Sequence, residues 1–356
     1  MALFQRKQSF LGIDIGTSSI KAVELKNEAG RPKLVTYGYI EQQSDLVKSD
    51  SPQAQARLLA TIKHLVQQAG VTTDKVVAAL PSFAVFTSII SLPVMSEKDL
   101  LAAVRWEAKK FVPMPLDEMI LDWRVIKEPE TPQAQQQLGV KKRAKDLKIL
   151  LTAAPKNLVK RYVDLFKAAD MQLVSLETES FALERSLIGN DPSPIMVIDI
   201  GAIATDISVI SHGIPLLNRS IDVGGETITK SIMNSLNIDV DRAEQFKRDF
   251  GMGTSDGNQQ IPKTIEFVIG SIINETRYCL NLYQGQGQQT VEKVILAGGS
   301  SFLPSLPDYL ARVLNLKVFI GDPWARVIYP IELKSALQEI GPRFAVAIGL
   351  AMRNIV

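Results

Sequence analysis

Two stretches far apart in this chain carry the same design. Ile13 to Leu25 (IDIGTSSIKAVEL) reads as an apolar strand ending at Asp14, a small turn and a second strand; Ile198 to Ile210 (IDIGAIATDISVI) repeats the pattern around Asp199. A single copy means little, because Asp-Ile-Gly ends many ordinary strands and turn chemistry alone explains glycine after aspartate. Two copies in one chain predict an internally duplicated fold, with each half presenting a turn at the end of a strand. At 356 residues the chain also exceeds the size at which one core keeps growing, so two lobes are expected.

The turns have the chemistry to hold phosphate. Gly16 lets the backbone come close to a ligand, the amides and hydroxyls of Thr17, Ser18 and Ser19 can donate to phosphate oxygens, and Lys21 adds positive charge. Asp14 ends its strand where a hydrated magnesium ion would sit. A third segment, Ile295 to Pro304 (ILAGGSSFLP), runs from an apolar strand into a Gly-Gly turn and then a helix expected near Pro304. Adjacent glycines there allow a flat ligand face to approach. Near the C-terminus, Gly341 to Arg353 (GPRFAVAIGLAMR) reads as a small-residue helix opened by Pro342, and the fourfold spacing of Ala345, Gly349 and Arg353 predicts a closely packed neighbouring helix.

Composition removes several function classes. Forty basic against 38 acidic residues give a net charge of +2, without the basic excess of a nucleic-acid binder. Cys279 is the one cysteine, which excludes an intramolecular disulfide or a cysteine metal cluster and reads as a core thiol on a helix. His64 and His212 stand far apart, outside any zinc-hydrolase or Ser-His-Asp pattern. No GxGxxG or GxxxxGK[ST] sequence occurs, so Rossmann and Walker folds have no support. Met1 to Phe10 lacks the apolar core of a signal peptide, and charges such as Asp199 and Asp206 interrupt every long apolar stretch short of a membrane span.

These segments together resemble the actin, Hsp70 and sugar-kinase ATPase superfamily, which implies an α/β, two-lobed actin-like fold with a duplicated core and inserted subdomains. Within it, Ala103 to Glu118 (AVRWEAKKFVPMPLDE), Asp322-Pro323-Trp324 and Leu337 to Ala347 (LQEIGPRFAVA) resemble the PilM family of type IV pilus assembly proteins, itself similar to the cell-division protein FtsA. The resemblance implies lobe one from residues 1–84 and 166–193 with 336–356 returning to it, an inserted α/β subdomain at 85–165, lobe two from 194–225 and 266–335, and a further insertion at 226–265. The chain ends at Val356 without an FtsA-like amphipathic tail, which favours PilM over FtsA and membrane contact only through partners.

For the site, the resemblance implies ATP or ADP with Mg2+. Asp14 and Asp199 would orient the metal through water, while Gly16, Thr17, Ser18, Ser19 and Lys21, with Gly201 and Thr205 from the second copy, would hold phosphates. Gly298, Gly299 and Ser300 would face adenosine, with Gly225, Glu244 and Lys247 against the nucleoside, although Glu244 and Lys247 by themselves read more readily as an exposed helix ion pair. Glu177 falls where relatives place a water-orienting acid. Thr178 replaces their proline, and Ala202, Ile203 and Ala204 replace glycine and threonine, which implies binding with slow or absent hydrolysis. The implied function is a cytoplasmic adaptor at the inner membrane face that binds the N-terminal peptide of PilN, meets PilO through PilN, and links to the pilus motor ATPases. A sugar or carboxylate kinase, or a self-associating FtsA-like filament former, is the alternative.

The 85–165 segment carries its own signals. Ser96 with Asp99 reads as a helix cap, and Leu100, Val104, Ala108 and Phe111 as an apolar stripe, with Trp106 and Lys110 on another face. Gln133 to Lys145 reads as a polar, basic loop.

Overall fold

The computed structural model describes residues 8–42, 49–126, 146–253, 260–285 and 289–356. The Gln133 to Lys145 loop lies outside them, as does most of Gly251 to Gly257, which the sequence reads as the loop ending the 226–265 insertion.

Strand β1 (Ser9–Ile15) is apolar along nearly its whole length and is buried on both faces. With β2 (Ser19–Glu28) and β3 (Arg31–Glu41) it forms an antiparallel meander. Helix α1 (Pro52–Gln68) follows, with the Ser51 hydroxyl accepting the Ala54 amide and Leu58, Ile62 and Leu65 turned inward at helical spacing. It returns the chain to β4 (Lys75–Leu80), parallel to β1.

Residues 84–161 form a compact unit of their own. It holds β5 (Phe86–Leu92), α2 (Glu97–Ala108), β6 (Met119–Ile126) and β7 (Leu147–Pro155), the strands pairing antiparallel in the order β5-β7-β6. Ser96 caps α2 by accepting the Asp99 amide, and Leu100, Val104 and Ala108 join Ile149, Leu151 and Ala153 in its core. The expected stripe stops there. Helix α2 ends at Ala108, the next turn swings Val112 inward, and Phe111 is left 40% exposed. Trp106 is exposed, with the Lys110 ammonium 4.7 Å from its ring centre.

Helix α3 (Lys156–Ala168) precedes β8 (Gln172–Thr178), which lies parallel to β4 and completes a sheet of order β3-β2-β1-β4-β8. A short helix α4 (Glu179–Leu183) continues into a π-helical turn and leads to β9 (Ile195–Ile200), β10 (Thr205–Ser211) and β11 (Ile214–Ile221), again an antiparallel meander. Helices α5 (Gly225–Leu236), α6 (Val240–Phe250) and α7 (Gln260–Gly285) follow, then β12 (Lys293–Ala297), α8 (Leu306–Leu314) and β13 (Lys317–Ile320). The second sheet has the order β11-β10-β9-β12-β13, so each sheet is a meander extended by two parallel strands on the side of its first strand. The duplicated sequence is a duplicated topology. Cys279 is buried on α7, where burial pushes its thiol up to about 12. Among the described residues no helix is long and apolar enough to cross a membrane.

The last helix, α9 (Lys334–Met352), lies between the sheets. Pro342 does not open it; the helix starts at Lys334 and carries Pro342 inside. Proline removes one helical hydrogen bond there, and its carbonyl accepts the Gly298 amide at 3.0 Å, which ties α9 to the Gly-Gly turn. Glycine sets how closely α9 can pack. A Cβ on Gly12 would overlap the Ala347 carbonyl, and one on Gly349 would overlap the Ala182 carbonyl of α4. The neighbour expected from the Ala345, Gly349 and Arg353 spacing is thus α4.

Candidate functional site

Because β1 to β2 and β9 to β10 are equivalent hairpins, their turns are equivalent too, and both line one cavity of about 710 Å³. That volume lies within the usual range for small-molecule sites. Of the residues expected at a site, Asp14, Gly16, Thr17, Ser18, Ser19, Lys21, Asp199, Gly201, Gly225, Glu244, Lys247, Gly298, Gly299 and Ser300 all line it. Gly298 has φ +80°, and a Cβ there would strike the Ile200 backbone, so only glycine lets this turn close over β9.

Two expected residues lie elsewhere. Thr205, the first residue of β10, is buried and donates its hydroxyl to the Val223 carbonyl at 2.6 Å. It stands at the same offset from Asp199 as Ile20 from Asp14, a position that points into the core in both copies. Glu177, near the end of β8, is held between the guanidinium groups of Arg185 and Arg353. Both of its oxygens are occupied by those ion pairs, which leaves neither to orient water in the cavity. The acid that reaches the cavity is Glu179, two residues later at the start of α4.

Among the carboxylates that line this cavity, Asp14, Glu179, Asp199 and Asp206 act on one another electrostatically. Burial, then the charges of Asp206 and Asp14, push Asp199 up to about 7, with Lys21 offsetting part of the rise. Burial likewise pushes Asp206 to about 6, against a hydrogen bond from Ser220. Glu179 is raised well above the usual carboxylate range by burial and by Asp206 and Asp14, although the Ser82 hydroxyl and amide both donate to its Oε2. Lys21 reaches Asp14 at 3.1 Å. Buried acids that resist ionisation together are poised to accept positive charge. The Oδ1 of Asp206 is buried with no hydrogen-bond partner, an acceptor left for something not supplied by the chain. Among the described residues no three acidic, His or Cys side chains converge as direct metal ligands, so a cation here would be held through its water shell.

Sequence reasoning passed over Asp206 and Glu179. The signal for Asp206 was present: it faces Asp199 across its hairpin as Lys21 faces Asp14. The duplication therefore places a cation in one copy and an anion in the other.

The opposite wall comes from α5, α6 and the Gly-Gly turn. Glu244 and Lys247 line the cavity and also pair with each other at 2.6 Å, with Lys247 2.9 Å from the Thr229 hydroxyl. Burial would raise Glu244, but the hydrogen bond and charge of Lys247, with Thr229, bring it below its ordinary value. The second turn is less well equipped than the first. Ala202, Ile203 and Ala204 bring no hydroxyl, and the Gly201 and Ala202 carbonyls already accept the Gly225 and Glu226 amides at 2.9 and 2.7 Å, so those two donors at the start of α5 are occupied.

Comparison with known proteins gives a consistent picture. The family model of type IV pilus assembly protein PilM matches residues 12–355. A solved PilM-PilN type IV pilus biogenesis complex has a chain 29% identical to this one, with a TM-score of 0.81, covering 98% of this chain and 99% of that one. The cell-division protein FtsA of Enterococcus faecalis is 21% identical over 379 residues, 93% of this chain and 84% of its own length. MreB 5 of Spiroplasma citri, solved bound to AMPPNP, is similar in fold, with a TM-score of 0.54 and 14% identity across 97% of this chain and 95% of that one.

Proposed function

Because the chain belongs to the PilM family of type IV pilus assembly proteins, we propose that it is a nucleotide-responsive adaptor of pilus assembly, with ATP or ADP in the cavity between its two equivalent turns. The observation that carries the nucleotide reading is the convergence of both turns, the Gly-Gly segment and the carboxylates of Asp14, Glu179, Asp199 and Asp206 on that one cavity. Thr17, Ser18, Ser19 and Lys21 would grip phosphates from one side and Gly201 from the other. Asp14 and Asp199, with Asp206 and Glu179 beside them, would hold a hydrated Mg2+, and the orphaned Asp206 oxygen fits that assignment. Bound there, the cation would neutralise phosphate charge and the charge of these acids. Gly298, Gly299, Ser300, Gly225, Glu244 and Lys247 would form the nucleoside wall.

Turnover in this reading is slow or absent. The second turn lacks hydroxyls to grip a terminal phosphate, and Glu177 is locked in ion pairs, which leaves Glu179 as the acid of that segment that reaches the cavity. A kinase would need an additional general base positioned on an acceptor hydroxyl, and the match to the pilus assembly family does not favour that reading.

The partner in this reading is the N-terminal cytoplasmic segment of PilN, supported by the likeness to a chain of the solved PilM-PilN complex. Extended peptides gain affinity from backbone hydrogen bonds and register from side-chain pockets. Contact with PilO would follow through PilN, contact with the motor ATPases would couple the assembly to force, and the protein would sit in the cytoplasm at the inner membrane face. Calorimetric titration of a synthetic PilN N-terminal peptide into the full chain tests this. Saturable one-to-one binding whose affinity changes with Mg-ATP is expected; no binding in either state would overturn the adaptor reading.

A further inference from the structure

The first phosphate turn has a support that the site description does not use. Gln42, directly after β3, lines the cavity and donates its side-chain Nε2 to the Gly16 carbonyl at 2.6 Å. Its own main-chain amide donates to the Ser18 carbonyl at 2.9 Å. The orientation of the side-chain amide is settled chemically, since the Gly16 carbonyl can only accept and so must face the NH2 end. Its other end, Oε1, is buried and has no hydrogen-bond partner.

These two bonds act on alternate peptide planes of the turn. Among the described residues no cis peptide bond is present, so within each unit of the turn the carbonyl of one residue and the amide of the next point in opposite directions. Fixing the Gly16 carbonyl therefore fixes the Thr17 amide, and fixing the Ser18 carbonyl fixes the Ser19 amide. A flexible turn rich in small residues would otherwise sample many arrangements of its donors, and ordering it upon binding would subtract from affinity. Lys21 and Asp14 do not do this, because they pair with each other through side chains.

We infer that Gln42 is a positioning residue for phosphate recognition: it holds the Gly16 to Ser19 turn in the arrangement that presents its amides, and its unpartnered Oε1 accepts from a water or hydrated cation of the bound nucleotide. The inference rests on the nucleotide reading of the cavity. It assigns the residue to phosphate and not to nucleoside, because among the described residues its hydrogen bonds are to the phosphate turn.

The test uses the full chain and two substitutions, Gln42→Met, which keeps length and neutrality but removes donor and acceptor, and Gln42→Asn, which keeps the amide but is too short to span the gap. Neither removes the main-chain bond to Ser18. Binding of Mg-ATP, Mg-ADP and adenosine is measured by calorimetry. Both variants are expected to weaken Mg-ATP and Mg-ADP by about three- to tenfold, the worth of one neutral hydrogen bond, with adenosine affinity unchanged. Equal loss for adenosine and for the phosphorylated ligands would overturn the inference, because a merely structural defect acts on all three. Wild-type affinity for Mg-ATP in both variants would overturn it as well. If the wild-type chain binds none of the three ligands, the nucleotide reading fails and this inference falls with it.

Discussion

At the scale of single residues the site is governed by charge. Asp199 ionises near 7 instead of 3.8 because burial, Asp206 and Asp14 all disfavour its carboxylate. Its folded-state value is raised, so its contribution to stability is fully present below the unfolded value of 3.8 and is lost as pH rises through about 7. A cation site needs the ionised form, and protons compete for it. Affinity for Mg-nucleotide is therefore expected to fall as pH drops from about 8 to about 6, and Asp199→Asn should flatten that profile while lowering affinity throughout. Calorimetry at a series of pH values checks this; an unchanged slope in the variant would remove Asp199 from the cation site. Residue identity at the site was legible where the chemistry is local: glycines, hydroxyls and strand-end aspartates announce themselves. Glu177 and Glu179 were not separable in this way. They differ by two positions, and what parts them is that β8 ends and α4 begins between them, placing one between Arg185 and the distant Arg353 and the other at the cavity.

At the scale of elements, glycine decides how the two sheets are joined through α9. Gly349→Ala would drive a methyl group into the Ala182 backbone, which cannot move aside as a side chain can, and the expected loss is about 3 kcal/mol, the upper end for overpacking. Gly270→Ala is the contrasting case. It lies within α7 with open space where its Cβ would be, so removing glycine should stabilise by about 0.5–1 kcal/mol. Thermal and denaturant unfolding of both variants measures the difference; equal effects would mean that α9 is not held by this close approach. The two hairpins and the Ser96 cap could be read from the sequence because period, caps and turn residues are short-range signals. The start of α9 could not, because Pro342 is a helix-opening signal locally, whereas in the fold it lies inside a helix whose Leu337 and Phe344 pack with Trp324, Val23 and Leu25. The end of the α2 stripe was hidden for a similar reason: Phe111 continues the apolar spacing, but Pro113 and the turn before it send Val112 inward instead.

At the scale of the whole molecule, the duplication makes two similar halves share one cavity while their chemistry diverges. One hairpin sets Lys21 against Asp14, and its counterpart sets Asp206 against Asp199. The first copy carries hydroxyls and a cation suited to phosphate; the second contributes mainly acid. Neither half is complete alone. A ligand that needs both is a bridge between lobes, and its binding can be coupled to a partner through the difference in affinity between lobe arrangements. The most direct test is a calorimetric titration of Mg-ATP into the purified chain, wild type beside Asp14→Ala and Asp199→Ala. One nucleotide per chain, with binding strongly weakened by either substitution, is predicted. Wild-type binding in either variant, or no binding at all, would contradict a single nucleotide site built from both copies.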